Sequence, residues 1–194
     1  MLFTCGIGCT NPLHHHQRRA AALAAVGAKK SAAAVSPKAA KTAKTKGKKS
    51  LVIDVHCHYF NTAVAAKAAV IDPIQKEFTH IFSNDLTREV NFKQMRDRGP
   101  KLSDIPTRIK DMDKMGVDLQ VVCPAPFQYY YFAEPGFGLE LAQSVNDGIA
   151  KIVAENPSRL MGMGTVPLQD SAMAVRELER VVKELGFKGV EIGT

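Results

Sequence analysis

Residues 51–60 read LVIDVHCHYF, a β-branched run broken at every second position by Asp54, His56 and His58. Successive residues of a strand face opposite sides. The pattern therefore predicts one face made of Leu51, Ile53, Val55 and Cys57, and another carrying Val52, Asp54, His56 and His58. An open doubly wound sheet is covered by helices on both sides and reads apolar on both. A polar face on a strand of this kind fits the interior of a closed barrel instead, so this one strand narrows the fold more than any other stretch.

The rest of the chain supplies the layers. Residues 60–104 read as irregular, and PTRIKDMDKMGV then predicts a helix with Ile109, Met112 and Met115 on its buried face, closed by Gly116. DLQVVCP is the second strand, ended by Pro124 and Pro126. After the aromatic loop FQYYYFAEPGFG comes a helix with Leu141, Val145, Ile149, Ile152 and Val153 at helical spacing, stopped at Asn156 and Pro157. LMGMGTVPL is a third strand. Asp170 and Ser171 offer an N-cap for a helix whose stripe is Met173, Leu178, Val181, Val182 and Leu185, and GVEIGT is a fourth strand. Strands alternating with helices predict βαβ units and a parallel sheet. Glu191, flanked by Val190 and Ile192, repeats the polar-interior signal and reads as an interior ion pair or a pocket-lining group.

Charge is unevenly placed. Residues 1–49 carry eight Lys and two Arg with no acid, which leaves −3 for the remainder of a chain whose net charge is +7. This Ala- and Lys-rich arm has few large apolar residues to offset the entropy of ordering it and is expected to be disordered. Arg18 and Arg19 before AAALAAVGA resemble a twin-arginine export signal. The expected location is cytoplasmic, or periplasmic if that signal operates. The arm also holds Cys5, Cys9 and the run His14, His15, His16, at a spacing that matches no standard zinc knuckle. No stretch has the length of apolar sequence that a membrane span needs.

Two histidines one residue apart on a strand point the same way and can share one metal ion, and neutral imidazole suits zinc and similar divalent ions. At the C-terminal end of a barrel strand they stand where active sites of that fold are built. Asp54 lies about 7 Å deeper at strand rise and reads as a hydrogen-bonding support for the pair.

IDVHCHYF, RIKDMDKMGVDLQVVCP, FQYYYFAEP, IAKIVAENPSRLMGMGTVPLQD and GFKGVEIGT, in that order, resemble the amidohydrolase-related family that includes aminocarboxymuconate-semialdehyde decarboxylase. The resemblance covers residues 51–194. It implies a (β/α)8 TIM barrel acting as a metal-dependent decarboxylase or hydrolase on small aromatic or unsaturated carboxylic acids. It also implies that His56 and His58 are the first two metal ligands, usually of zinc, with the others and a catalytic His on later strands. A complete barrel takes about 250 residues, and residues 50–194 hold four βα units, so the fold expected is the N-terminal half of such a barrel behind the basic arm. His80 matches none of the remaining ligands.

On a barrel, Tyr59, Tyr129, Tyr130 and Tyr131 fall at strand ends, where a flat acid could stack on them; the alternative is interface or lid packing. Arg88, Arg96 and Arg98 are candidates for clamping its carboxylate, with Arg88 as the expected substrate-binding residue. With two ligands, the chain alone is expected to be marginally stable and inactive unless it pairs with a complementary half or, as a homodimer, with itself. A non-catalytic assembly role is the alternative. A metal-dependent barrel phosphoesterase, and nucleic acid as partner, are disfavoured by the negative charge outside the arm and the tyrosine-rich rim.

Overall fold

The computed structural model describes residues 50–193; the basic arm, its Arg18–Arg19 pair and its cysteines and histidines lie outside them. Three parallel strands form one sheet in the order β1-β2-β3: β1 Ile53–Tyr59, β2 Leu119–Pro124 and β3 Leu160–Gly162. The fourth strand expected at GVEIGT is present only as a bridge from Gly164 to Val190, with Gly164 donating to the Gly189 carbonyl at 3.0 Å and Glu191 to that of Gly164 at 2.8 Å. β3 is shorter than expected for the same reason. Beyond Gly162 the ladder has no continuous partner strand to extend it.

Residues 60–104 are largely helical, which corrects the irregular reading. They form α1 Thr62–Ala68, α2 Pro73–Lys76, α3 Phe78–Ile81 and α4 Asp85–Ser103. Local capping accounts for the ends: Asn61 Oδ1 accepts from Ala63 and Val64, and Asn84 Oδ1 from Thr87. No residue of α4 is buried, so the segment lacks the apolar stripe by which a helix is recognised in sequence.

α5, Ile105–Met115, begins at Asp104, whose carboxylate accepts from Thr107 at 2.9 Å, and ends at Gly116 in the left-handed region. Met112 is fully buried, but Met115 is exposed and Arg108 takes a buried place on the helix instead. α6, Pro135–Glu155, buries Leu141, Val145, Ile149 and Ile152 as expected. α7, Ser171–Lys183, is capped by Asp170 through Met173 N–H at 2.8 Å. Its buried seam is Val181 and Glu177, while Leu178 and Val182 face outward, a second correction. Only a narrow side of α7 meets α6, and a charged group occupies part of it.

Helices and sheet meet in two apolar clusters. One joins Met112, Val122, Ile152 and Leu160; the other gathers Val64, Tyr130, Leu141, Val145, Ile149, Val181 and Phe187. Between α6 and α7 a polar knot replaces apolar packing. Asn146, fully buried, donates to the Thr165 carbonyl (2.9 Å) and to Glu177 Oε1 (2.7 Å), and accepts from the Thr165 N–H (2.8 Å). Glu177 is neutralised by Arg180, which also reaches Asp147.

Replacing Asn146 with Ala strands the Thr165 N–H and carbonyl in the interior. Asn146→Ala should lower unfolding free energy by about 2–4 kcal/mol, measured by urea denaturation of the purified chain.

Candidate metal centre

The register between β1 and β2 slips. Asp54 pairs with Gln120 and Cys57 with Val122, so three steps along β1 match two along β2. One extra residue reverses which side the following side chains face. Past the slip, Cys57 and Tyr59 pair with Val122 and Pro124, and Cys57 packs toward the helix-side cluster of Met112, Val122 and Ile152. His58 pairs with Cys123 on the opposite side. Before the slip, Asp54 shares its side with Gln120, which lies on the same face of β2 as Val122. Asp54 is therefore not on the histidines' face, which corrects the simple alternation. Ile53 and Val55, expected beneath helices, are exposed, at 46% and 69%. β1 is an edge strand, and by the same register Ile53 faces the side opposite Asp54, which no helix among the described residues covers.

His56 and His58 come together with ring centroids 4.9 Å apart and their planes near perpendicular. His58 Nδ1 lies 2.8 Å from the Pro124 carbonyl. A carbonyl only accepts, so Nδ1 carries the proton and Nε2 is left with its lone pair, the tautomer that a metal ligand needs. Glu191 Oε2 lies 3.7 Å from the same Nδ1 and is buried without a hydrogen-bond partner. The polar signal read at Glu191 thus meets the histidine face across the sheet.

Asp54 is tied into a network that the sequence reading missed. Its Oδ1 accepts from the His56 N–H at 3.1 Å and its Oδ2 from Gln120 Nε2 at 3.0 Å. Gln120 Oε1 accepts from Arg108 Nη1 at 3.1 Å, and Arg108 Nη2 donates to the carbonyls of His58 and Leu102. Burial pulls the Arg108 guanidinium below its ordinary pKa, and the nearby Cys57 and Asp54 work against that pull. A signal was present: Arg108 stands four residues before Met112 on the apolar stripe, and Gln120 interrupts β2 as Asp54 interrupts β1.

The tyrosines divide. Tyr129 stacks on Tyr131 with centroids 5.4 Å apart, and its hydroxyl pKa is raised by burial and then by Glu191, which places it on the histidine side. Tyr130, at a left-handed φ of 50°, turns into the helix-side core with Leu141 and Ile149, its hydroxyl 3.5 Å from Gln128 Nε2. Tyr59 packs against both apolar clusters. Those two are not brought to the histidine face, because strand parity at Tyr59 and the backbone turn at Tyr130 aim them away. Arg88 spends its fork on the His80 and Ile81 carbonyls and on Asp85, each at 3.4 Å. Arg96 and Arg98 are exposed.

The donor set suits a divalent ion at two positions. Among the described residues no group of three or more His, Cys, Asp or Glu is placed to hold one. His56 and His58 stand as two adjacent imidazoles.

A family described as amidohydrolase, Amidohydro_2, matches residues 53–194. The chain belongs to that family, and its structural neighbours are TIM-barrel decarboxylases, of which it reproduces the first βα units. It is 41% identical over 91 residues to 2-amino-3-carboxymuconate-6-semialdehyde decarboxylase of Dictyostelium discoideum, covering 47% of this chain and 25% of that protein. Against gamma-resorcylate decarboxylase of Polaromonas sp. strain JS666 it is 32% identical over 123 residues, covering 63% and 37%. A dihydroxybenzoic acid decarboxylase from Polaromonas sp. JS666, solved with manganese and the inhibitor 2-nitroresorcinol, superposes with TM-score 0.57 at 27% identity, over 75% of this chain and 39% of that one. For 5-carboxyvanillate decarboxylase from Sphingomonas paucimobilis the TM-score is 0.58 at 29% identity, over 74% and 43%. The chain thus spans between 25% and 43% of the length of these relatives. No helix among the described residues is long and apolar enough to cross a membrane.

The two described thiols stay protonated. Burial raises Cys57 to about 12 against the pull of Arg108, and burial with the nearby Glu191 raises Cys123 to about 12. The ordinary value is 9.0, so between pH 9 and 12 the unfolded chain sheds protons that the folded one keeps, and stability falls as pH rises through that window. Urea denaturation should show a loss of stability from pH 8 to pH 10.5 that shrinks in the Cys57→Ala/Cys123→Ala variant. Peptide-resolved alkylation at pH 8 should leave both thiols unmodified until the protein unfolds.

Proposed function

We propose that residues 50–194 form the opening half-barrel of a metal-dependent decarboxylase acting on a small aromatic or unsaturated carboxylic acid, with His56 and His58 as two ligands of a divalent ion, zinc or manganese. The observation that carries this reading is the His58 ring, held by the Pro124 carbonyl in the tautomer that presents Nε2 as a ligand. It is supported by the relatives, whose names are those of decarboxylases of such acids, one of them solved with manganese.

The ion would polarise a substrate oxygen or activate a water. The chain's own contribution is orientation. The Pro124 carbonyl fixes the His58 ring, and Tyr129, stacked on Tyr131, offers a flat aromatic wall beside Glu191 for a planar acid. Tyr59 and Tyr130 act as packing residues, and Arg88 as a cap on the helix before it. Catalytic zinc sites ordinarily use three protein ligands and a water. With two, this chain alone binds the ion weakly and does not turn substrate over.

A second reading, a non-catalytic partner in assembly, is favoured by the open edge of β1, where Leu51, Ile53 and Val55 stand exposed. Strand edges of this kind invite pairing with another chain. Hydrolysis by the same site is the other chemical outcome, because both reactions use the same ligand pair.

Calorimetric titration of the metal-free chain with zinc and with manganese separates these readings. The expected result is one ion per chain, with binding lost in both His56→Ala and His58→Ala while circular dichroism stays unchanged. No binding by a folded wild-type chain would sink the metal reading and leave assembly. Sedimentation of the same samples then tests whether β1 joins two copies.

A further inference from the structure

We infer that Arg108 is a positioning residue for the histidine pair, acting through Gln120 and Asp54 from the opposite side of the sheet. This deepens the metal-site reading above and rests on it for its functional meaning. Arg108 belongs to α5, on the helix side of β2, and is 6% exposed. Its guanidinium reaches the β1 backbone by two routes. Nη2 donates directly to the His58 carbonyl. Nη1 holds Gln120, whose amide holds Asp54, whose other carboxylate oxygen holds the His56 N–H. The two attachment points bracket Cys57, at the end of the register slip between Asp54 and Cys57.

A purely packing role does not call for this arrangement. The position lies on the stripe with Met112, where an apolar side chain would serve, and burying a guanidinium whose Nε has no partner is costly. The slip, in turn, needs an outside hold. An extra residue in a strand leaves backbone groups without ladder partners and lets the register wander. The Asp54 carboxylate takes up the His56 N–H there, and Gln120 and Arg108 keep that carboxylate in place. Because the slip decides that His56 and His58 face away from the helices, the network fixes the direction in which both imidazoles point.

The test uses the full chain and two readouts. The first, metal-free, is amide hydrogen exchange at His56 relative to Val122 and Leu160, followed by NMR. In Gln120→Leu, which keeps the Arg108 bonds to the His58 and Leu102 carbonyls, His56 exchange should rise at least about tenfold while the other two amides hold. Arg108→Met should do the same. Asp54→Asn keeps one oxygen for the His56 N–H but sets an amide N–H against Gln120 Nε2, so it should behave as Gln120→Leu does, and Asp54→Ala should exchange at least as fast. Met112→Ala, a destabilising change that leaves the network whole, should speed all three amides together. The second readout is zinc affinity, expected to fall about 10- to 100-fold in Gln120→Leu, the range typical of lost support behind a metal ligand.

Unchanged His56 exchange in Gln120→Leu, acceleration spread evenly over the sheet, or an Asp54→Asn variant that keeps wild-type protection would each overturn the proposal. If Arg108→Met does not fold, Gln120→Leu decides alone. A wild-type chain that binds no zinc would remove the metal reading, and the His56 exchange pattern would still decide whether the network positions the strand.

Discussion

The slip of one residue between β1 and β2 is the constraint on which the site depends. Before it, Asp54 faces the helices beside Gln120; after it, Cys57 packs toward the helices and His58 turns to the other side. Without the extra residue, strict alternation would put Asp54 and the histidines on one face and leave Gln120 and Arg108 buried without their acid. The slip lets one strand serve a polar network on its helix side and a histidine pair on its other side within five residues. Its hold is electrostatic and geometric together: a carboxylate on a backbone N–H, an amide between acid and cation, and a guanidinium on a carbonyl.

A second polar knot does comparable work further along the chain. Asn146 ties the backbone at Thr165 to α6, and Glu177 with Arg180 ties α7 to the same place. That holds the chain next to Gly164, where the bridge to Val190 begins and brings Glu191 up to His58. Both knots sit where a short strand lacks enough ladder bonds to fix its own position. Buried polar groups are costly unless fully paired, and here they stand where apolar packing alone would leave register or direction undecided.

The layer order, the parallel sheet and helices α5, α6 and α7 were legible in the sequence, because they rest on local signals: Asp170 as a cap, Gly116 as a stop, and the α6 stripe. The pairing of the two histidine rings was visible as well, since HxH needs only strand alternation to bring them together. Helices α1 to α4 were not legible: α1 buries only Val64 and Ala68 and α4 buries nothing, which is too little periodicity to read. Arg108, Gln120 and the placing of Tyr59 and Tyr130 depended on contacts between residues far apart in sequence.

What the sequence by itself determined is the chemistry on offer: two imidazoles on one strand, a carboxylate ahead of them, an acid on a later strand, and family membership through the order of its segments. Tertiary structure alone decided which way those groups face. Facing is a property of strand pairing, and a single added residue reverses it. The pairing of Cys57 with Val122 and of Asp54 with Gln120 is written in β2 and α5 as much as in β1, so reading β1 alone could name the histidines but not the residues packed behind them.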